Sequence, residues 1–180
     1  AEARKRMEII SVEGGKDVKK ASEQVSRWIL IKEGVGRNYP RRALWMSLMA
    51  YIWKRRMCLQ GVLGRPIGSI IGIVAGSPFA VQELTVIMCK VIEYWRRAIP
   101  AGCISVHVDD IAISVWGRKV EEVQDRVLQA VKALDEEVEG TLGMNFSKEK
   151  TYIVQSQGKV VDGLVKAGLL EGELCKDCRL

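Results

Sequence analysis

The stretch Cys103-Ile104-Ser105-Val106-His107-Val108-Asp109-Asp110-Ile111-Ala112-Ile113-Ser114-Val115 flanks two adjacent carboxylates with apolar, β-prone runs. Ile104–Val108 and Ile111–Val115 read as short strands, which leaves Asp109-Asp110 at the turn of a hairpin. Two neighbouring negative charges cost energy unless a cation or basic group offsets them. At a hairpin tip a hard divalent ion such as Mg2+ can do so, because it takes carboxylate oxygens and keeps water and phosphate in its other positions. The plainer reading is a solvated acidic turn, where Asp is common.

Working outward, the chain of 180 residues fits one domain, or a domain with a tail, and can bury a sizeable core. An apolar fraction of 48% with 28% charged residues is ordinary for a globular protein. No apolar run approaches the roughly 20 residues that cross a bilayer, and charged Ala1–Met7 has no apolar segment behind it to make a secretory signal. No membrane partner is expected, and the start on Ala rather than Met reads as a fragment or excised domain. The net charge of +6 favours a polyanionic partner such as nucleic acid. Arg4-Lys5-Arg6, Arg41-Arg42, Lys54-Arg55-Arg56 and Arg96-Arg97 lie near element ends or in loops, where they serve either as helix-end charge or as phosphate contacts.

Five cysteines make no even framework. Cys58, Cys89 and Cys103 sit in apolar surroundings and read as reduced core thiols. Cys175 and Cys178 have the spacing of half a zinc site without the other half. A reducing intracellular compartment, cytoplasmic or nuclear, is expected.

In chain order, Met7–Val12 suits a strand ended by Gly14-Gly15, with Asp17 next, an Asp that also suits a helix N-cap. From Val18 the pattern is helical, with Ala21, Val25, Trp28 and Ile29 on one face. A loop from Gly34 to Pro40 leads to a helix over Arg41–Arg56 with Leu44, Trp45, Leu48 and Ile52 facing a core. Met57–Leu63 and Ile67–Val74 read as strands or a hairpin. Ser77 is placed as N-cap and Pro78 as first residue of a helix to about Ala98, with Val81, Leu84, Met88, Val91 and Trp95 on one side. Lys119–Glu139 is amphipathic, with Val120, Val123, Val127, Val131, Leu134 and Val138 three and four apart, and Gly140 ends it. Lys150–Ser156 and Lys159–Val165 resemble closing strands. This order predicts an α+β fold, a mainly antiparallel sheet with helices packed on one face and the acidic hairpin at its centre.

Metal-assisted phosphoryl transfer needs carboxylates from separate elements, and Asp17 is the natural partner of Asp109-Asp110. Four segments occur in order: Asp17-Val18-Lys19-Lys20-Ala21-Ser22, Gly72-Ile73-Val74-Ala75-Gly76-Ser77-Pro78, His107-Val108-Asp109-Asp110 and Gly143-Met144-Asn145-Phe146-Ser147-Lys148. Together they resemble the palm of reverse transcriptases of the retroelement (retrotransposon) type, over about residues 8 to 156.

The resemblance implies template-directed nucleotidyl transfer by an RNA-directed DNA polymerase. Asp17 and Asp109 would be the principal metal ligands, assisted by Asp110 and the Val18 carbonyl, with Mg2+ or Mn2+ as cofactor. Gly76-Ser77-Pro78 would lie against template base and incoming nucleotide, and Lys148 would protonate the leaving group. Ser22 stands where the family has an aromatic residue that blocks the ribose 2′-hydroxyl. Ala75 replaces a Gln, and His107 replaces an aromatic, with a packed role expected for its ring. The implied partners are an RNA template, a DNA primer and nucleoside triphosphates. Residues 1–165 would form the palm, without fingers or thumb, and 166–180 an unassigned tail. Three alternatives stay open: a non-catalytic nucleic-acid-binding module of palm fold, an RNA-dependent RNA polymerase palm, which Ser22 would suit, and a plain α+β interaction domain with acidic turns.

Overall fold

The computed structural model describes residues 9–147, 150–155 and 160. Four strands form one antiparallel sheet: β1 (Ile10–Asp17), β4 (Gly102–His107), β5 (Asp110–Gly117) and β6 (Tyr152–Gln155), in the order β4-β5-β1-β6. A two-residue pair, β2 (Cys58–Leu59) and β3 (Val62–Leu63), stands apart as a small hairpin. The helices are α1 (Ala21–Gln24), α2 (Arg27–Gly36), α3 (Arg41–Ile52), α4 (Ala80–Ala98) and α5 (Val120–Asp135). With α4 and α5 as the two crossovers, the sheet has the split βαββαβ arrangement. Among the described residues no helix is long and apolar enough to cross a membrane.

Alternation along each strand decides which face is covered. Ile10, Val12, Ile104, Ile111, Ile113, Val115 and Ile153 point to one side and are buried. Against them pack Leu84, Met88, Val91 and Trp95 of α4 and Val123, Val127 and Leu134 of α5, all buried. The Trp95 indole donates from Nε1 to the Ala130 carbonyl at 3.1 Å, tying the two helices together. Side chains at the alternate positions, including Ser11, Glu13, Cys103, Ser105, His107 and Trp116, are exposed. Helices therefore cover one face, as the sequence predicts, and among the described residues the other is open.

Several expectations need correction. β1 does not stop at Gly14-Gly15: it runs to Asp17 because β5 and β6 both supply ladder partners there, Gly14 opposite Ile113 and Ile153, Gly15 opposite Ala112 and Tyr152. The helix expected from Val18 is broken at Val25-Ser26, where the Ser26 hydroxyl takes the Ile29 N–H as a cap. Gly34 and Gly36 belong to α2 rather than to a loop.

In α3 the buried stripe is Leu44, Ser47, Leu48 and Tyr51, so Trp45 and Ile52 point outward, as do Trp28 and Val81. Ile67–Val74 is irregular apart from the Arg55–Ile67 bridge. α4 starts at Ala80, two residues later than expected, while the Ser77 hydroxyl accepts from the Phe79 N–H. Gly140 falls inside a π-helical turn over Glu136–Thr141 that follows α5. That turn seats Val138 in the core and sets Glu137 against Lys90 at 3.1 Å. Cys58 and Cys103 are exposed, not core thiols, because one lies on the protruding hairpin and the other on the open sheet face. Lys159–Val165 apart from Val160, the tail with Cys175 and Cys178, and Arg4-Lys5-Arg6 lie outside the described residues.

Candidate functional site

The acidic hairpin turns through Val108 and Asp109, with His107 and Asp110 as the closing pair. Val108 has φ 59°, a left-handed conformation that a β-branched side chain tolerates poorly. Two-residue hairpins favour turns with positive φ because these match the strand twist, and here the strain falls on Val108. Such strain persists where surrounding contacts over-determine the backbone, and the Val18 N–H supplies one by donating to the Asp109 carbonyl at 3.0 Å.

The β1–β5 register sets Asp17 directly opposite Asp110, and the β4–β5 register sets Asp110 opposite His107. Directly opposed side chains share a face, with Cβ atoms about 4.5–5.5 Å apart, and like charges so placed repel. His107, Asp110 and Asp17 thus form one row across the open face, with Asp109 in the turn above them. Asp17 is buried, with its side chain 8% exposed, whereas Asp110 is exposed.

The charge that offsets this row comes from Lys150, just ahead of β6. Its Nζ lies 3.0 Å from Asp17 Oδ2. The ammonium pKa is raised, first by the hydrogen bond to Asp17 and by its charge, then by Asp109 and Asp110. Lys16, one residue before Asp17, points to the opposite face, where it pairs with Asp135 and sits 4.6 Å from the centre of the Phe146 ring.

The next row below consists of Ser105, Ala112 and Gly15, ending at Tyr152. The Tyr152 ring lies on the Gly15 backbone so closely that a Cβ there would fall 2.2 Å from it. A groove forms over these small residues, walled by Tyr152 and headed by His107, Asp110, Asp17 and Lys150.

A second set of predicted residues gathers around α1. The Ile73 N–H donates to the Ser22 carbonyl at 2.7 Å, and the Gly72 N–H to the Val25 carbonyl at 2.8 Å. Arg27 spans the same loop, its guanidinium donating to the carbonyls of Ser69, Ile71 and Gly72. The turn Val74–Ser77 closes with Ser77 N–H donating to the Val74 carbonyl at 2.9 Å. Gly76 carries φ 87° in it, a value that suits glycine at the third position of such a turn. Beside the loop opens a wide cleft bordered by Arg27, Arg55, Arg56, Trp53 and Tyr51. On the other side of α1, Lys19 N–H donates to the Asn145 carbonyl and Ser147 N–H to the Asp17 carbonyl.

The structure thus brings together Asp17, Val18, Asp109 and Asp110 in one cluster, and Ser22 with the loop leading to Gly76, Ser77 and Pro78 in another. Lys148 lies outside the described residues; among the described residues, Lys150 reaches Asp17. His107 is exposed at the open face rather than packed, because its partner Asp110 fixes it on that side. Sequence reasoning missed Lys150, Tyr152 and Arg27. The available signal for the first two was their place at the start of a strand that had to close the sheet beside Asp17.

As a donor set, carboxylates of Asp17, Asp109 and Asp110 with the Val18 carbonyl are hard oxygens of the kind Mg2+ and Mn2+ take. Among the described residues no three His, Cys, Asp or Glu side chains stand grouped as a ready-made metal site. Of these donors Asp17 already holds a cation, the Lys150 ammonium at 3.0 Å.

A scan against protein-family models and a search of curated proteins return no match. Among solved structures, the fold is similar to that of an apo telomerase from Candida tropicalis truncated from its C-terminal domain. The TM-score is 0.63 at 10% identity, over 83% of this chain and 31% of that one. The likeness is one of fold, and this chain spans just under a third of the length of the structure it matches.

Proposed function

We propose that the chain is the palm of a reverse transcriptase-like polymerase that joins nucleotides on a template at the Asp17, Asp109 and Asp110 row. The observation that carries this reading is the register of Asp17 opposite Asp110, which sets carboxylates 93 positions apart on one face of the sheet. The telomerase-like fold supports it, and so does the cleft with Arg55, Arg56 and Trp53, a combination that suits nucleic-acid phosphates and bases. Asp17, Asp109, Asp110 and the Val18 carbonyl would hold Mg2+ or Mn2+. Bound there, the metal would activate a primer hydroxyl and offset charge on the leaving pyrophosphate.

The chain's own residues do the positioning. Gly76, Ser77 and Pro78 present a tight turn to template base and incoming nucleotide, and Ser22 borders the loop behind them. The proton-donor role that the resemblance gives Lys148 fits Lys150, whose mobile ammonium reaches Asp17. Ser22 is too small to exclude a 2′-hydroxyl, so ribonucleotides enter the test as well as deoxynucleotides.

The test is extension of a labelled DNA primer on an RNA template by the full chain with Mg2+ or Mn2+, comparing deoxynucleoside and ribonucleoside triphosphates. Extension that disappears in Asp109→Ala is expected. Template–primer binding without extension under either metal would sink the polymerase reading and leave a non-catalytic nucleic-acid-binding module. Incorporation of ribonucleotides alone would instead make it an RNA polymerase palm.

A further inference from the structure

We infer that Lys150 is an internal counter-cation that closes the acidic site in the metal-free protein and must swing away before a divalent metal can enter. The inference rests on the reading of Asp17, Asp109 and Asp110 as a metal site, and concerns how that site is gated.

The argument starts from charge. Asp17 and Asp110 face each other across a register pair, and Asp109 lies in the adjoining turn, so three carboxylates share one strand end. A buried carboxylate such as Asp17 is stable only with a partner. Lys150 provides it at 3.0 Å. Among the described residues no three carboxylates are drawn together into a metal cage; Lys150 satisfies Asp17, and Asp110 remains solvated.

The two partners differ in how readily they move. The Asp17 side chain is 8% exposed and held by the end of β1, whereas that of Lys150 is 67% exposed. Lys150 sits outside the sheet, ahead of Tyr152, so its stem can turn into solvent without disturbing the core. An ammonium offers one charge and no open position for a ligand, while a divalent cation brings two charges and can gather further oxygens. Metal entry and Lys150 retention at Asp17 are therefore competitive. A lysine displaced from Asp17 would lie beside the groove walled by Tyr152, close to any phosphate bound there.

The test is titration of the full chain with Mn2+ alone, comparing wild type, Lys150→Gln and Asp17→Asn, with bound metal read by electron paramagnetic resonance. Lys150→Gln should bind Mn2+ about three- to fivefold more tightly, the factor that an exposed ion pair represents. Acylation of lysines, read by mass spectrometry, should be slow at Lys150 in chelator and faster in saturating Mn2+. Mn2+ binding that depends on Asp17 but is equal or weaker in Lys150→Gln would overturn the gating inference and leave the site intact. No Asp17-dependent binding in either protein would overturn the metal reading, and the inference with it.

Discussion

Asp17 stands opposite Asp110 in the β1–β5 ladder, and one residue further on the Val18 N–H donates to the Asp109 carbonyl at 3.0 Å. The hairpin tip and the end of β1 are thus one rigid unit, and side-chain chemistry at either end depends on the same backbone register. A one-residue slip would move Asp110 to the helix-covered face, so register and candidate function are inseparable.

The turn that carries Asp109 has a local cost. Val108 holds φ 59°, and Asn tolerates this conformation far better than a β-branched residue. Val108→Asn should raise the thermal midpoint of the full chain by about 2–4 °C, the shift expected from relief of about 1 kcal/mol. An unchanged or lower midpoint in thermal unfolding followed by circular dichroism would show that the packing of Val108 outweighs its strain.

The Tyr152 ring lies over Gly15. An added Cβ would fall 2.2 Å from the ring, and because Tyr152 is 40% exposed the ring can turn aside, so Gly15→Ala should cost about 0.5–1.5 kcal/mol, the cost of a side chain pushed off its rotamer. In a double-mutant cycle, Gly15→Ala combined with Tyr152→Ala should recover most of that loss. Additive losses in urea unfolding would mean that the ring does not depend on the bare backbone.

The Tyr51 hydroxyl donates to Glu83 Oε2 at 2.6 Å inside the protein, and Glu83 Oε1 has no hydrogen-bond partner among the described residues. Burial is the main cause that pushes the phenol up to about 12, with the hydrogen bond to Glu83 adding to it. The folded chain thus prefers the protonated phenol. Its contribution to stability is whole below pH 10 and is lost as pH rises from 10 towards 12. Tyr51→Phe should lower stability at neutral pH by about 1–3 kcal/mol, because Glu83 Oε2 loses its hydrogen-bond donor. It should also flatten the alkaline limb of the pH–stability curve; identical limbs in wild type and variant would contradict this.

Arg27 anchors the loop ahead of the Gly-Ser-Pro turn through three carbonyls. Lysine lacks the planar fork that spans them. Arg27→Lys should therefore speed hydrogen exchange at the Gly72 and Ile73 amides about tenfold, which corresponds to about 1.4 kcal/mol of local opening. Unchanged exchange at both amides would remove Arg27 from the role of loop anchor.

Much of this architecture was legible in the chain, for a physical reason. The α5 stripe of Val123, Val127 and Leu134 is buried, and Val138 in the π-helical turn continues it, because a helix between sheet and solvent must sort its faces. The acidic hairpin was legible from the two apolar arms beside Asp109-Asp110, but the turn falls one residue earlier than expected, on Val108 and Asp109, and Asp110 opens β5. Gly14-Gly15 misled because glycine punctuates isolated strands, whereas here two neighbouring strands hold it in place and the Tyr152 ring lies over its bare backbone.

Trp45, Trp28 and Ile52 misled because apolar character alone does not say which stripe of a helix meets the core; the stripe through Leu44, Leu48 and Tyr51 does. Lys150 was missed because its role depends on where β6 closes the sheet, a tertiary fact.

The most direct test of the central claim is amide NMR of the full chain during titration with Mn2+, whose unpaired electrons broaden nearby signals. If the carboxylates of β1 and the hairpin tip form one cation site, the amides of Asp17, Val18, Asp109 and Asp110 should broaden first and together, and Asp17→Asn should abolish the effect. Broadening that begins at another acidic surface, such as Glu121-Glu122, and leaves the Asp17 and Asp109 amides sharp would contradict the account.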